Sequence, residues 1–174
     1  MTPVARIREA QKNFFFAALK WAAMKNGLYK YTDLPAGFSW TIDDETRYIK
    51  WQPRSEKGFR TLVINQLRAA LAILVIETDS VLNDCLGIEP YNDTDDERRN
   101  TRCIMYMFRC AVAHHPLEPT WNVTSENYKD KIFIVPSVDF TLDTTGLNGK
   151  PLDAEGLNWF KLIDLTNHCI TYIE

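Results

Sequence analysis

"TDDERRNTRCIMYMFRCAVAHHP", residues 94–116, reads as a helix with a marked start and a marked stop. Thr94 and Glu97 have capping-box spacing, in which the hydroxyl serves an orphan amide and the carboxylate reaches back. Asp95 and Asp96 suit the positive end of the helix. Pro116 ends the run, because the residue before a proline is pushed out of the α region. This predicts a helix from 94 to about 113. At about 100° per residue, Arg98, Arg102 and Arg109 fall within roughly 40° of one another, with Met105 on the same line. Cys103, Ile104, Met107, Phe108 and Ala111 gather on the opposite side and face a core. The arginine face is either a solvated surface neutralised by Asp93, Asp95, Asp96 and Glu97, or a set of guanidinium forks shaped for phosphate oxygens.

Working outward, the chain on both sides is mostly helical. Residues 3–25 form an amphipathic pattern through Phe14, Phe15, Leu19 and Ala22, with Gly27 as the stop. From Phe59 to about Cys85 a second helix holds Leu62, Val63, Leu67, Ala70, Leu71, Leu74 and Val81 on one broad face. Its centre, "AALAILVI" (69–76), is apolar nearly all round, which predicts a central helix covered on most sides. Gly87 and Pro90 end it. Between these helices, residues 28–58 show no sustained period and several breakers, so a long packed loop is expected, with room for a short helix. After Pro116 the period changes to two. "TWNV", "KIFIVPSV" and "FTLDTT" predict two or three short strands between about 120 and 145. Residues 155–173, with Leu157, Phe160, Leu162, Ile163, Leu165, Ile170 and Ile173 apolar, give a last helix. The fold class is mainly α, with a small antiparallel β ribbon.

Composition bounds the function classes. The 174 residues fit one domain with a real core, and 45% hydrophobic with 25% charged residues describes a soluble globular protein. A net charge of −3 and a pI near 5.7 exclude a surface that is basic throughout, so any contact with a polyanion is local. The four cysteines lack Cys-x-x-Cys spacing, which argues against a zinc or redox motif. Each sits within or beside an apolar segment, where a thiol acts as a small hydrophobe. The uninterrupted apolar run of 69–76 is too short to span a membrane. With no signal peptide in view, a cytoplasmic protein without a membrane partner is expected.

The chemistry concentrates at the end of the 94–113 helix, in Arg109, His114 and His115. Five residues correspond to about 500°, so Arg109 and His114 stand about 140° apart on a straight helix. Two geometries could unite them. The helix could end at Ala113 so that the histidine swings off the axis, or a second copy could cross at a two-fold axis and face each arginine toward the other chain's histidine. A histidine in the last turn lies at the negative helix end, a setting for general acid–base work near neutrality. The structural alternative is a cap, with both imidazoles bonded to terminal carbonyls. Cys110, at mid-helix among apolar neighbours, reads as an inert thiol, and His168 as a satisfied core histidine. The carboxylates of 93–97 lack a matching His or Cys set, so neither a metal nor another cofactor is indicated.

"RCAVAH", Arg109 to His114, at the end of a helix that follows an apolar one, resembles the identifying motif of the HEPN superfamily. These are all-α domains of bacterial toxins and of RNA-processing or defence nucleases. His115 satisfies the spacing as well. Cys110 departs from the pattern, since Asn, Asp or His often follows the arginine. The resemblance covers about Phe59 to Trp121 and implies a single four- to five-helix bundle over 1–174 with metal-independent endoribonuclease activity. His114 or His115 would move the proton and Arg109 would stabilise the transition state, while Arg98 and Arg102 guide the RNA backbone. It also implies a homodimer, and allows an antitoxin or other protein partner. The alternative is a non-catalytic dimer of the same fold that binds a nucleotide, a nucleic acid or a protein and uses Arg109 structurally.

Overall fold

The computed structural model describes residues 1–174 except 36, 43–44, 51–54, 88 and 154–157. Among the described residues, four α-helices and two antiparallel strand pairs form two compact units. Met1–Phe15 and Arg68–Glu174 make the larger unit, and Phe16–Leu67 the smaller.

The larger unit is helical with one ribbon. It takes the start of α1 (Pro3–Lys25), the greater part of α2 (Glu56–Leu86), all of α3 (Asp96–Ala113) and α4 (Trp159–Thr171). Ile7, Val81 and Ile170 pack together, joining α1, α2 and α4. The buried Gln11 amide donates to the Thr166 hydroxyl at 2.8 Å and fixes the register of α1 on α4. α3 buries Cys103, Ile104, Met107, Phe108 and Ala111, the side expected to face the core. The ribbon pairs β3 (Ile132–Val135) with β4 (Phe140–Asp143), and Phe133 and Val135 turn inward while Ile132 and Ile134 turn out. Phe108 closes the core against Trp121 at 5.2 Å and Phe140 at 6.3 Å between ring centres.

The smaller unit corrects the expected loop over 28–58. It holds a short 3-10 turn (Tyr31–Asp33) and a hairpin of β1 (Gly37–Ile42) and β2 (Glu45–Lys50), running in register from Gly37 opposite Lys50 to Ile42 opposite Glu45. "GFSWTI" and "ETRYIK" are rich in aromatic and β-branched residues, which favour strands. The breakers around them hid that composition. α2 then begins at Glu56, ahead of the expected Phe59.

Further expectations change. The cap of α3 is Asp95, whose carboxylate accepts from the Arg98 amide at 2.7 Å. Glu97 does not reach back to Thr94; it accepts from the Ser137 amide at 2.9 Å and ties the helix to the ribbon. "TWNV" forms no strand, because Trp121 spends its backbone groups on Gly149 and Lys150, beside a single bridge from Thr120 to Pro151. α1 buries Ile7, Ala10, Phe14, Ala17 and Ala18, which leaves Phe15 and Leu19 exposed. α2 is not covered all round, since Ile73 and Ile76 reach solvent. At 31 residues, with an 18-residue window of mean hydropathy 1.6, α2 is long and apolar enough to cross a membrane, because the continuous helix extends well beyond the eight-residue run. It nonetheless buries Leu71, Leu74, Val75, Thr78 and Asp79 as the long helix of a bundle does. In α4, Phe160 is exposed, and Leu157 lies outside the described residues. Cys103 and Cys169 are buried, Cys110 is half-buried and Cys85 is exposed, so three of the four thiols are at least partly packed.

Candidate functional site

The face of α3 read as an arginine stripe is the seam between α2 and α3, and it is charged inside. Arg98 grips the buried Asp93 with two bonds of 2.7 Å, from Nε and Nη2. Arg102 lies behind it, 1% exposed, with Nη1 3.4 Å from Asp93 Oδ2 and Nη2 donating to Asn83 Oδ1 at 3.2 Å. Asn83 in turn donates to Asp79 Oδ2 at 3.2 Å, and Arg109 Nε stands 3.9 Å from that same oxygen. Arg98, Asp93, Arg102, Asn83, Asp79 and Arg109 therefore form one continuous polar chain.

Helical spacing explains it. Asp79 and Asn83 are four residues apart on α2, and Arg98, Arg102 and Arg109 line one side of α3, so both rows meet across the seam. Burial then sets the electrostatics. Bonds from Arg98 hold the Asp93 carboxyl below the usual carboxylate range, against the opposing effect of burial. Asp79 goes the other way: burial pushes it up to about 6, opposed by the charges of Arg109 and Arg102.

This seam corrects the expected RNA contacts. Arg102 is enclosed and committed to Asp93 and Asn83, so it presents nothing to a phosphate backbone. Arg98 is only partly exposed, and its fork is occupied by Asp93. Met105, placed on the same line, is fully buried. The physical reason is that Asp93 and Asn83 supply partners that let this side of an arginine-bearing helix enter the protein. The signal was legible in "IETDSVLND" (76–84), where Asp79 and Asn83 stand four apart among the polar residues that follow the apolar run.

Arg109 is different. Its side chain is 45% exposed, its guanidinium carbon lies 6.0 Å from the centre of the Tyr106 ring, and its Nη1 is 4.0 Å from Cys110 Sγ. Tyr106 stacks on Tyr128 at 5.1 Å, so the floor beneath the guanidinium is fixed by packing. His114 is the C-cap of α3, and both it and His115 are exposed. Neither imidazole makes a side-chain hydrogen bond or ion pair among the described residues, so the expected structural cap does not form. The turn that carries them is nevertheless anchored. Arg68 donates to the Leu117 carbonyl at 2.7 Å, the Glu118 amide to the His115 carbonyl at 3.0 Å, and the Thr120 amide to the Ala111 carbonyl at 3.0 Å.

His114 keeps right-handed helical dihedrals, φ −91° and ψ −36°. It does not swing off the axis at Ala113, and the separation of about 140° from Arg109 persists within one chain. His168 is satisfied as expected: its Nε2 is 2.6 Å from the Tyr172 hydroxyl and 3.7 Å from Glu97 Oε1. Compared with known proteins, the chain matches no family model, no curated sequence and no solved structure.

Proposed function

We propose that this chain is a metal-independent endoribonuclease of the HEPN type, acting as a symmetric homodimer. The carrying observation is that Arg109 is half exposed at the end of α3 while the exposed imidazoles of His114 and His115 stand on an anchored turn just beyond it. His114 as general base makes the RNA's own 2′-hydroxyl the nucleophile. The 2′-oxygen bonds to the adjacent phosphorus, the bond from phosphorus to the 5′-oxygen breaks, and a histidine returns a proton to that oxygen. Arg109 neutralises the extra charge on the phosphoryl oxygens between these events. The reading takes a dimer because a two-fold axis near the end of α3 would face each Arg109 toward the other copy's His114 and remove the 140° separation.

The test is incubation of the purified chain with mixed RNA in EDTA, beside Arg109→Ala and His114→Ala. Cleavage by the parent and its loss in both variants is the expected result. The pairing of Arg109 with Asp79 favours one other reading, a non-catalytic dimer in which the arginine is structural. A folded dimer that cuts no RNA would establish that reading instead. Light scattering at micromolar concentration is expected to report about twice the 20.2 kDa chain mass.

A further inference from the structure

The smaller unit has a chemistry of its own. Phe16–Leu67 carries eight Lys and Arg against five Asp and Glu, within a chain whose whole balance is −3. The same segment holds nine aromatic side chains. Cations interleaved with aromatics are what recognition of nucleic-acid components needs, since phosphates want the first and bases stack on the second.

Three of these cations and three of these aromatics line a cavity of about 400 Å³ formed by the end of α1, the turn after it and the start of α2. That volume lies at the lower end of small-molecule sites. Gly27 opens the cavity by taking φ +70°, which turns the chain sharply after α1. Part of the lining is aromatic. Phe59 is buried and holds the Tyr29 ring edge-on, with centres 5.0 Å apart. Tyr31 is 39% exposed, and its 3-10 turn is pinned by the Lys30 amide donating to Asp33 at 2.7 Å. The lining also carries three cations, Lys25, Lys30 and Arg60. Among the described residues neither Lys30 nor Arg60 has an ion-pair partner. Glu56 is the one acid in the described lining.

We propose that this cavity binds a nucleotide. The base stacks on Tyr31, the phosphate is held by Lys30 and Arg60 with Lys25 nearby, and the Glu56 carboxylate accepts from the ribose hydroxyls, a role acidic residues play in other nucleotide sites. A plain anion site would not need the aromatic lining, and an apolar ligand would leave the cations unused. The proposal goes beyond the nuclease reading and does not depend on Arg109 or His114.

The test is calorimetric titration of the full chain with 5′-AMP, beside adenosine and inorganic phosphate as separate fragments and a 5′-phosphorylated oligoadenylate. Saturable binding of 5′-AMP is expected, with each fragment about tenfold weaker or more, as loss of a stacked base or of the phosphate contacts implies. Lys30→Glu with Arg60→Glu, and separately Tyr31→Ala, should each lower 5′-AMP affinity at least about tenfold. All three positions are exposed, and circular dichroism should show these variants folded. Arg109→Ala and His114→Ala should bind 5′-AMP as the parent does. Tighter binding of the oligonucleotide identifies an RNA end as the source of the nucleotide, and equal or weaker binding identifies a free one. No saturation at millimolar 5′-AMP overturns the proposal, as does affinity unchanged in the Lys30 and Arg60 double variant or lost in Arg109→Ala.

Discussion

Asp79 of α2 holds its carboxylate 3.9 Å from the Nε of Arg109 on α3, and the two partners differ sharply in exposure, 7% against 45%. The acid is inside and the cation is at the rim. Asp79 therefore bears most of the desolvation, and Arg109 keeps access to solvent while being held from behind.

That asymmetry has a pH signature. The folded value of Asp79, about 6, lies above its ordinary 3.8, so as pH falls the folded state takes up this proton before the unfolded state does. Its contribution to stability therefore rises as pH drops from about 6 to 4, and falls as pH climbs through that window. Asp79→Asn removes the effect. Urea denaturation of both proteins at pH 7, 6, 5 and 4 should show the parent gaining on the variant toward acid, by at most about 3 kcal/mol. Parallel profiles would mean that Asp79 is not desolvated as described.

Arg102 should behave as a structural residue. With Asp93 fully enclosed and Arg102 nearly so, Arg102→Ala strands a buried carboxylate beside only Arg98. Removing one partner of a buried pair costs about 3–5 kcal/mol. Arg98→Ala removes both 2.7 Å bonds and leaves the enclosed Asp93 carboxylate only the 3.4 Å contact with Arg102, so it should cost a similar amount, about 3–5 kcal/mol. Denaturation midpoints measure both. If Arg102→Ala kept parental stability but lost RNA affinity, the enclosed seam would be the wrong description.

The helical periods in the sequence were strong where apolar residues recur over many turns, and α1 matches its expected span of 3–25. α2 and α3 fall within three residues of expectation at each end, and the ribbon lies in its expected window. The hairpin of the smaller unit was missed because two six-residue strands separated by acidic residues give too short a run for period two to stand out. At the site, Arg109, His114 and His115 are exposed near the end of α3. Arg98 and Arg102 are not, because their destination depends on Asn83 and Asp93. A helical wheel for one element cannot show partners supplied by another.

The cap of α3 offers a direct check on local chemistry. Asp95 accepts from the Arg98 amide, while Thr94 lies outside the helix and makes no side-chain hydrogen bond among the described residues. Asp95→Ala should therefore cost about 1 kcal/mol, and Thr94→Ala close to nothing. Equal losses would restore the Thr94 capping box.

The identity of the cleavage products tests the chemistry most directly. A histidine base acting on the neighbouring 2′-hydroxyl leaves a 2′,3′-cyclic phosphate on one fragment and a 5′-hydroxyl on the other. DNA lacks that hydroxyl and should remain intact. Cleavage should persist in EDTA, because the proton carriers are the chain's own imidazoles, and should weaken as salt screens Arg109 from the backbone. His114→Ala should abolish it. His115→Ala should be milder, since Pro116 directs that residue into the turn and its carbonyl is already engaged by Glu118. Mass spectrometry of the fragment ends, with matched RNA and DNA strands, decides the matter. Cut DNA, 3′-hydroxyl ends or activity lost on chelation would each mean that the 2′-oxygen is not the nucleophile.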